Sequence, residues 1–424
     1  MQIIENNKIK EKMYIEKLDN GLTIVIVPKK GIQKKYITWG VNFGSVDNKF
    51  IVGNDKDVTV IPDGIAHYLE HKMFEQRSGI NSLDTLSSLG VDANAYTTNN
   101  YTAYLYECTD NFYEALDEFM DYVQNPYYTK ENVDKERGII EQEISMYDDD
   151  PGWALYINAL KLMYHNNPVR IDIAGTKESI AKIDEKTLYT IYNNFYVPDN
   201  MVIVACGDFD AEELLMEIKK RVVMKKSHQK ITRVYENEPE SINEKQKTIN
   251  MEVSIPIFIV AYKDRIDNEN MVKKYLALQI LFQIIMGSSS KLYQRLYEQG
   301  LISSEFGFDY EFARDYAHCI IQGSSTDPEK VINEIKNEIE FYKSQGISDK
   351  EFERQKKKLY GEFVKDYNDV STIGHMIISD CFKNINSFIY FEEFDCLTKE
   401  YLEEVLKTVF DENKKVISIV KGKE

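Results

Sequence analysis

The sequence predicts an α+β chain of two homologous domains, each a mainly antiparallel sheet with helices packed on one face. Three observations carry this prediction. The chain has 424 residues, too many for one compact core and well matched to two domains of about 200. A helix–turn–strand pattern occurs twice, at residues 183–207 and again at 397–422. The run Asp19-Asn-Gly21, between the segments 14–18 and 22–27, is a hairpin signal that calls for antiparallel pairing.

After the hairpin, residues 101–106 alternate as a half-buried strand does. Thr109-Asp110 opens a helix pair that ends at Glu136-Arg137, and its counterpart opens at Thr326-Asp327 and includes Glu353-Arg354. In the first repeat Leu188, Ile191, Tyr192 and Phe195 mark a buried helical stripe, Pro198-Asp-Asn200 a turn, and 201–205 an apolar strand. In the second, Tyr401, Leu402, Val405, Leu406 and Phe410 precede Asp411-Glu-Asn413 and the strand 416–420. Residues 222–247 are rich in Lys, Glu, Gln, Asn and Ser and weakly periodic, as a surface linker is. The expected boundaries are therefore 1–221 for a metal-bearing domain, 222–247 for the linker and 248–424 for a homologous domain without a metal site.

The chemistry concentrates in Gly64-Ile-Ala-His67-Tyr-Leu-Glu70-His71. At helical spacing His67 and His71 share a face, and Glu70 lies three residues from His67 on the same side. Two imidazoles on that pitch can take two corners of a tetrahedral Zn2+ site, which leaves the carboxylate free to deprotonate a metal-bound water. A surface helix can carry His and Glu without any metal, but the chain has only 6 His, and two fall at ligand spacing around a Glu. Zn2+ is expected over other metals because two imidazoles and a carboxylate suit it. A third ligand is sought in Asp134-Lys-Glu136-Arg-Gly-Ile-Ile-Glu141-Gln-Glu143-Ile, where Val133, Ile139, Ile140 and Ile144 mark a helix. Glu136 and Glu143 sit two turns apart on one face, while Glu141 points elsewhere. A carboxylate as third ligand leaves one coordination position open for water, the catalytic rather than the structural arrangement.

This region resembles the pitrilysin and insulinase family of zinc peptidases, whose signature is H-x-x-E-H followed, more than seventy residues on, by a helix reading E-R-x-x-x-x-x-E. Glu136-Arg137 and Glu143 match that helix, with Glu143 72 residues after His71. By resemblance His67, His71 and Glu143 are the metal ligands for one Zn2+, Glu70 is the general base, and Glu136 is a second carboxylate counted with the catalytic set. Ala93-Asn94-Ala95-Tyr96-Thr97 resembles the family's N-A-x-T segment, an edge strand that pairs with the substrate backbone, so Asn94, Ala95 and Tyr96 are expected to bind substrate. The likeness runs on through Tyr196-Val-Pro198-Asp-Asn200, and the run from Glu141 to Pro151 is similar to bacterial members that work as separate half-length chains, each forming one half of a clamshell. The implied activity is a zinc metalloendopeptidase acting on peptides or unfolded segments. The alternative is a non-catalytic binding or assembly subunit, whose mark would be a broken H-x-x-E-H.

The second repeat carries no such chemistry. Residues 275–287 hold no His and no acid and read as a packing helix. His165, His228, His318 and His375 are isolated and read as single surface or core residues. Family members that grip substrate on the non-zinc half carry an Arg with a Tyr seven residues later; here Tyr297 stands for the Arg and Ser304 for the Tyr, while Arg295 is off register and is followed at that spacing by Ile302. Loss of one oxyanion donor costs roughly a hundred- to a thousandfold in rate. The resemblance thus implies a heterodimer in which a homologous chain brings the Arg/Tyr clamp, with a homodimer as the lesser alternative.

A net charge of −18 argues against nucleic acid and anionic membrane as partners. The N-terminus has no apolar segment of signal length and no run of 18 apolar residues occurs, so a cytoplasmic protein with no membrane partner is expected. Cys108, Cys206, Cys319, Cys381 and Cys396 lack C-x-x-C spacing and are expected as buried reduced thiols.

Overall fold

The computed structural model describes residues 1–227 and 230–423. Within them the chain forms two compact units, and neither is contiguous. The first comprises Met1–Ile144, Ile171–Val234 and Val364–Ser387; the second comprises Ser145–Arg170, Tyr235–Phe363 and Phe388–Glu424.

The first unit is built on a seven-stranded sheet. Its strands are β1 (Gln2–Asn6), β2 (Glu11–Lys17), β3 (Thr23–Pro28), β4 (Lys35–Val41), β7 (Asp92–Thr97), β8 (Thr102–Cys108) and β9 (Met201–Gly207), with β5 (Lys49–Val52), β6 (Thr59–Val60) and β10 (Ile231–Arg233) in a small separate sheet. The large sheet runs β1-β2-β3-β9-β4-β8-β7, antiparallel except for β3 beside β9. The expected hairpin joins β2 to β3, with Gly21 at φ 102° and its amide bonded to the Leu18 carbonyl at 2.9 Å. The second unit carries β11 (Gln246–Met251), β12 (Ile257–Asp264), β13 (Gly307–Phe312), β14 (Ala317–Ser324) and β15 (Lys415–Gly422) in the order β11-β15-β12-β14-β13. This order repeats β3-β9-β4-β8-β7 strand for strand, including the parallel pair β11 and β15. The helix–turn–strand repeat of the sequence is Glu185–Phe195 leading into β9 and Lys399–Val409 leading into β15.

Five sequence expectations need correction. The units do not divide at 221 and 248, because the helix Pro151–Met163 belongs to the second unit and Val370–Phe382 to the first. Val370–Phe382 lies against β4 and β9: a Cβ on Gly40 would meet Phe382 and Ile378 within 2.9 Å, and one on Gly374 would meet the Tyr36 ring at 2.2 Å. Trp39, on the other face of β4, packs on Phe119 of the helix Phe112–Gln124. The first sheet therefore bears, besides its expected helical layer, a helix on the opposite face, and β8 is buried along nearly its whole length rather than alternating. Residues 222–247 are not simply a linker. They hold β10, whose Arg233 Nε donates to fully buried Asp47 at 2.8 Å, and most of them after β10 lead into β11. Their charges misled because two of them, Arg233 and Glu238, sit in internal ion pairs with Asp47 and Lys263. Finally, all five cysteines are free, but Cys396 is exposed.

Candidate metal centre

Gly64 opens the helix Ile65–Lys72 at φ 89°, a left-handed conformation that glycine adopts without strain, and a Cβ there would meet the Ala174 carbonyl oxygen at 2.4 Å. The helix is docked on the N-terminal turns of Lys130–Asp148. The Tyr68 hydroxyl donates to the Val133 carbonyl and Lys72 Nζ to the Asn132 carbonyl at 3.2 Å. That second helix is started by reciprocal bonds, Thr129 N to Asn132 Oδ1 at 2.8 Å and Asn132 N to Thr129 Oγ1 at 3.2 Å, the logic of a capping box. Arg137 fastens it further, through Asp134 at 2.9 Å and the Ile183 carbonyl at 2.9 Å.

These contacts bring the predicted residues together. His67 Nε2 and His71 Nε2 each lie 3.5 Å from an oxygen of Glu143, and the two rings stand 4.6 Å apart between centroids. One ligand atom from each of the three residues lies within 4.8 Å of the others. Two donors held about 2.1 Å from one ion at the tetrahedral angle stand about 3.4 Å apart, so the nitrogen–oxygen spacing is long for a hydrogen bond and right for a shared cation. His71 Nδ1 donates to Glu136 Oε1 at 3.0 Å, leaving Nε2 as its free-electron-pair nitrogen. Glu136 therefore touches the second nitrogen of a candidate ligand rather than the cluster. Burial would raise the Glu136 carboxyl, but the His71 hydrogen bond brings it below the ordinary range. Burial would lower His71, yet Glu136, Glu70 and Glu143 raise it, and the same negative charge would attract a cation. Glu70 is buried and raised by that burial, with His67 and the Thr97 hydroxyl opposing.

Thr97 was not among the expected site residues. Its Oγ1 donates to Glu70 Oε2 at 2.5 Å. The signal was present in the sequence, since Thr97 closes the Ala93–Thr97 segment already singled out, but only the fold brings it to the helix Ile65–Lys72.

Comparison with known proteins decides the family. The family described as Insulinase (Peptidase family M16) matches residues 59–177, and the Peptidase M16 inactive domain matches residues 182–359. The uncharacterized zinc protease YmfH of Bacillus subtilis (strain 168) is 34% identical over 409 residues, 95% of either chain. The chain belongs to the M16, pitrilysin and insulinase, peptidase family. Among solved structures of M16-like proteins, one from Alicyclobacillus acidocaldarius superposes with a TM-score of 0.93 at 29% identity over 99% of this chain and 100% of that one. The periplasmic protease PqqL of Escherichia coli, at 19% identity and a TM-score of 0.76, shares the fold over all of this chain and 48% of its own. This M16 chain is thus of the half-length bacterial kind.

In the M16 frame, β7 is indeed the outer strand of its sheet. Asn94 is exposed and its Oδ1 accepts from the Ala95 amide at 2.9 Å, whereas Ala95 is buried. Tyr96 is half-buried, its hydroxyl 3.1 Å from Nδ1 of exposed His375. In the second unit, the helix Met271–Ile285 is a packing helix. Arg295 is forked between Glu334 at 3.0 Å and Glu338 at 3.1 Å, and Tyr297 is exposed. His318 is buried and His165 Nε2 lies 3.3 Å from Ser241 Oγ; His228 lies outside the described residues. No helix among the described residues is long and apolar enough to cross a membrane.

Proposed function

We propose that this chain is the zinc-bearing subunit of a two-chain metalloendopeptidase that cleaves peptides or unfolded segments. The observation that carries the reading is the convergence of His67, His71 and Glu143 beside the buried carboxylate of Glu70. His67, His71 and Glu143 would hold the ion, and Glu136 would fix the His71 ring. A Zn2+ held there would supply a Lewis acid that acidifies water and polarises a carbonyl. Glu70 takes a proton from the attacking water and delivers it to the amine nitrogen as the peptide C–N bond breaks. An extended peptide would lie along the open edge of β7, held by main-chain hydrogen bonds near Asn94 and Ala95. Tyr96 would support that strand from behind, through His375, instead of touching substrate.

The second unit supports the need for a partner. Arg295 is engaged by two carboxylates, and the positions expected to carry the clamp hold Tyr297 and Ser304. A homologous chain bearing that Arg/Tyr pair would complete the site as the other half of a clamshell.

The test is zinc content together with cleavage of a mixed quenched-peptide library, for wild type and Glu70→Gln, alone and with a homologous M16 chain from the same organism. One zinc per chain in both forms, with cleavage that needs the partner and disappears in Glu70→Gln, is the expected result. Stoichiometric zinc with no cleavage in any pairing would overturn it in favour of a binding or assembly role.

A further inference from the structure

We propose that Thr97 is the positioning residue of the general base, its hydroxyl holding Glu70 at the end of the substrate-facing strand, with the Thr102 hydroxyl beside it. The assignment rests on reading Glu70 as the base. A hydroxyl has one proton to donate. Thr102 commits its proton to the Phe43 carbonyl at 3.0 Å. Thr97 Oγ1, 3.4 Å from Thr102 Oγ1, is left with its own proton for Glu70 Oε2. With Oε2 engaged, Oε1 remains for the transfer from water.

The internal repeat supplies a control within the same chain. Thr97 and Thr102 are the last cross-strand pair of the β7–β8 hairpin, whose turn is closed by the Thr98 amide bonding the Tyr101 carbonyl at 2.8 Å. The β13–β14 hairpin of the second unit is closed in the same way, by the Ala313 amide and the Tyr316 carbonyl at 2.8 Å, and its last pair is Phe312 and Ala317. The hydroxyl pair occurs in the unit that bears the His67, His71 and Glu143 cluster. At the equivalent place in the other unit two apolar residues fill the space. Packing alone is thus met by apolar side chains at this position. Two hydroxyls are placed where a carboxylate has to be aimed. Because Thr97 is also the final residue of β7, a peptide paired along that edge would steady the strand end that holds the base.

The experiment compares wild type, Thr97→Val, Thr97→Ser and Thr102→Val as full-length chains, with the homologous partner where cleavage requires it. Zinc content, kcat and KM for one quenched peptide, and crystal structures of wild type, Thr97→Val and Thr97→Ser are measured. Thr97→Val is expected to keep one zinc per chain and a KM within about twofold, while kcat falls roughly 10- to 100-fold from misaimed proton transfer. Thr97→Ser restores kcat to within about threefold because it restores the donor. Thr102→Val gives a smaller fall than Thr97→Val. In the crystal structures the Glu70 carboxylate swings in Thr97→Val and stays in place in Thr97→Ser. A Thr97→Val enzyme with wild-type kcat, or a Ser variant as impaired as the Val variant, overturns the assignment. If wild type itself does not cleave, the peptidase reading fails on its own. The position of Glu70 in the three crystal structures then decides the role of Thr97, and an unmoved carboxylate in Thr97→Val refutes it.

Discussion

On the edge hairpin of the first unit, Asn94 Oδ1 accepts from the next amide at 2.9 Å; on that of the second, Asp309 Oδ1 does the same for Tyr310 at 2.7 Å. The two hairpins share turn bonding and place in the sheet, and each begins with a six-residue strand. They differ in what surrounds them. In the first unit the neighbouring helix Ile65–Lys72 offers His67, Glu70 and His71, whereas in the second the helix Met271–Ile285 is mostly buried and apolar. The second unit has polar groups of its own, and several of them pair with one another. Glu311 accepts from Tyr316 at 2.6 Å and from Tyr156 at 3.3 Å, and buried His318 bonds the Tyr164 hydroxyl at 3.0 Å. The comparison teaches that the sheet frame is held by register and burial, and that the chemistry is a small set of side chains placed on one copy of it.

The largest break in that comparison is expected from Glu70→Gln. It should lower peptide cleavage by about 10²- to 10⁴-fold while leaving zinc content at one per chain, as read by elemental analysis. Next comes Glu136→Gln, which removes the carboxylate on His71 Nδ1. Zinc affinity, measured by competition with a chelator, should weaken by roughly 10- to 100-fold, and unchanged affinity would remove Glu136 from the site.

A third prediction separates the units directly. Zinc at about 100 times its Kd stabilises what it binds by about 2.7 kcal/mol. Amide exchange should therefore slow in Ile65–Lys72 and Lys130–Asp148 on adding zinc and stay unchanged in Met271–Ile285. Equal protection of both helices would mean that the metal is not confined to the first unit. Gly374→Ala comes next, since its methyl would press on the Tyr36 ring at 2.2 Å. Overpacking of this kind costs about 1–3 kcal/mol, to be read as a lower unfolding midpoint in urea.

The smallest effect belongs to the second unit. Burial would raise Glu311, but His318, with the hydroxyls of Tyr316 and Tyr156, holds its carboxyl down to about 2 from 4.5. A carboxylate with a depressed folded-state pKa contributes stability that is full above its unfolded value and is lost as pH falls toward the folded one. Glu311→Gln should thus destabilise the chain at pH 7 by about 1 kcal/mol, modest because solvent reaches the carboxylate, and the penalty should shrink between pH 4.5 and 2. A penalty that does not change over that range would mean the His318 pairing does not hold Glu311 ionised.

Much of the site was legible because its residues are local. His67, Glu70 and His71 lie within one helical turn, and Glu136 and Glu143 within two, so helical pitch alone put each set on a face. Thr97 was not legible, since nothing local says that the end of one strand will meet a carboxylate 27 residues earlier in the chain. The exchanged helices were hidden for a similar reason. Gly40 and Gly374 are unremarkable in sequence, and only the close packing of Val370–Phe382 on β4 shows why neither carries a side chain. Arg233 was misjudged as linker because charge usually marks solvent, while here it balances buried Asp47.

By itself the sequence determined the repeat, the antiparallel hairpins and the identity of the convergent histidines and glutamates, because periodicity and short-range spacing are properties of neighbouring residues. The tertiary structure decided which unit each helix joins, that the Tyr96 hydroxyl meets His375 while Asn94 is exposed, and that Thr97 hydrogen-bonds Glu70. Those outcomes depend on contacts between residues far apart in the chain, set by how the layers pack, and no local pattern encodes them.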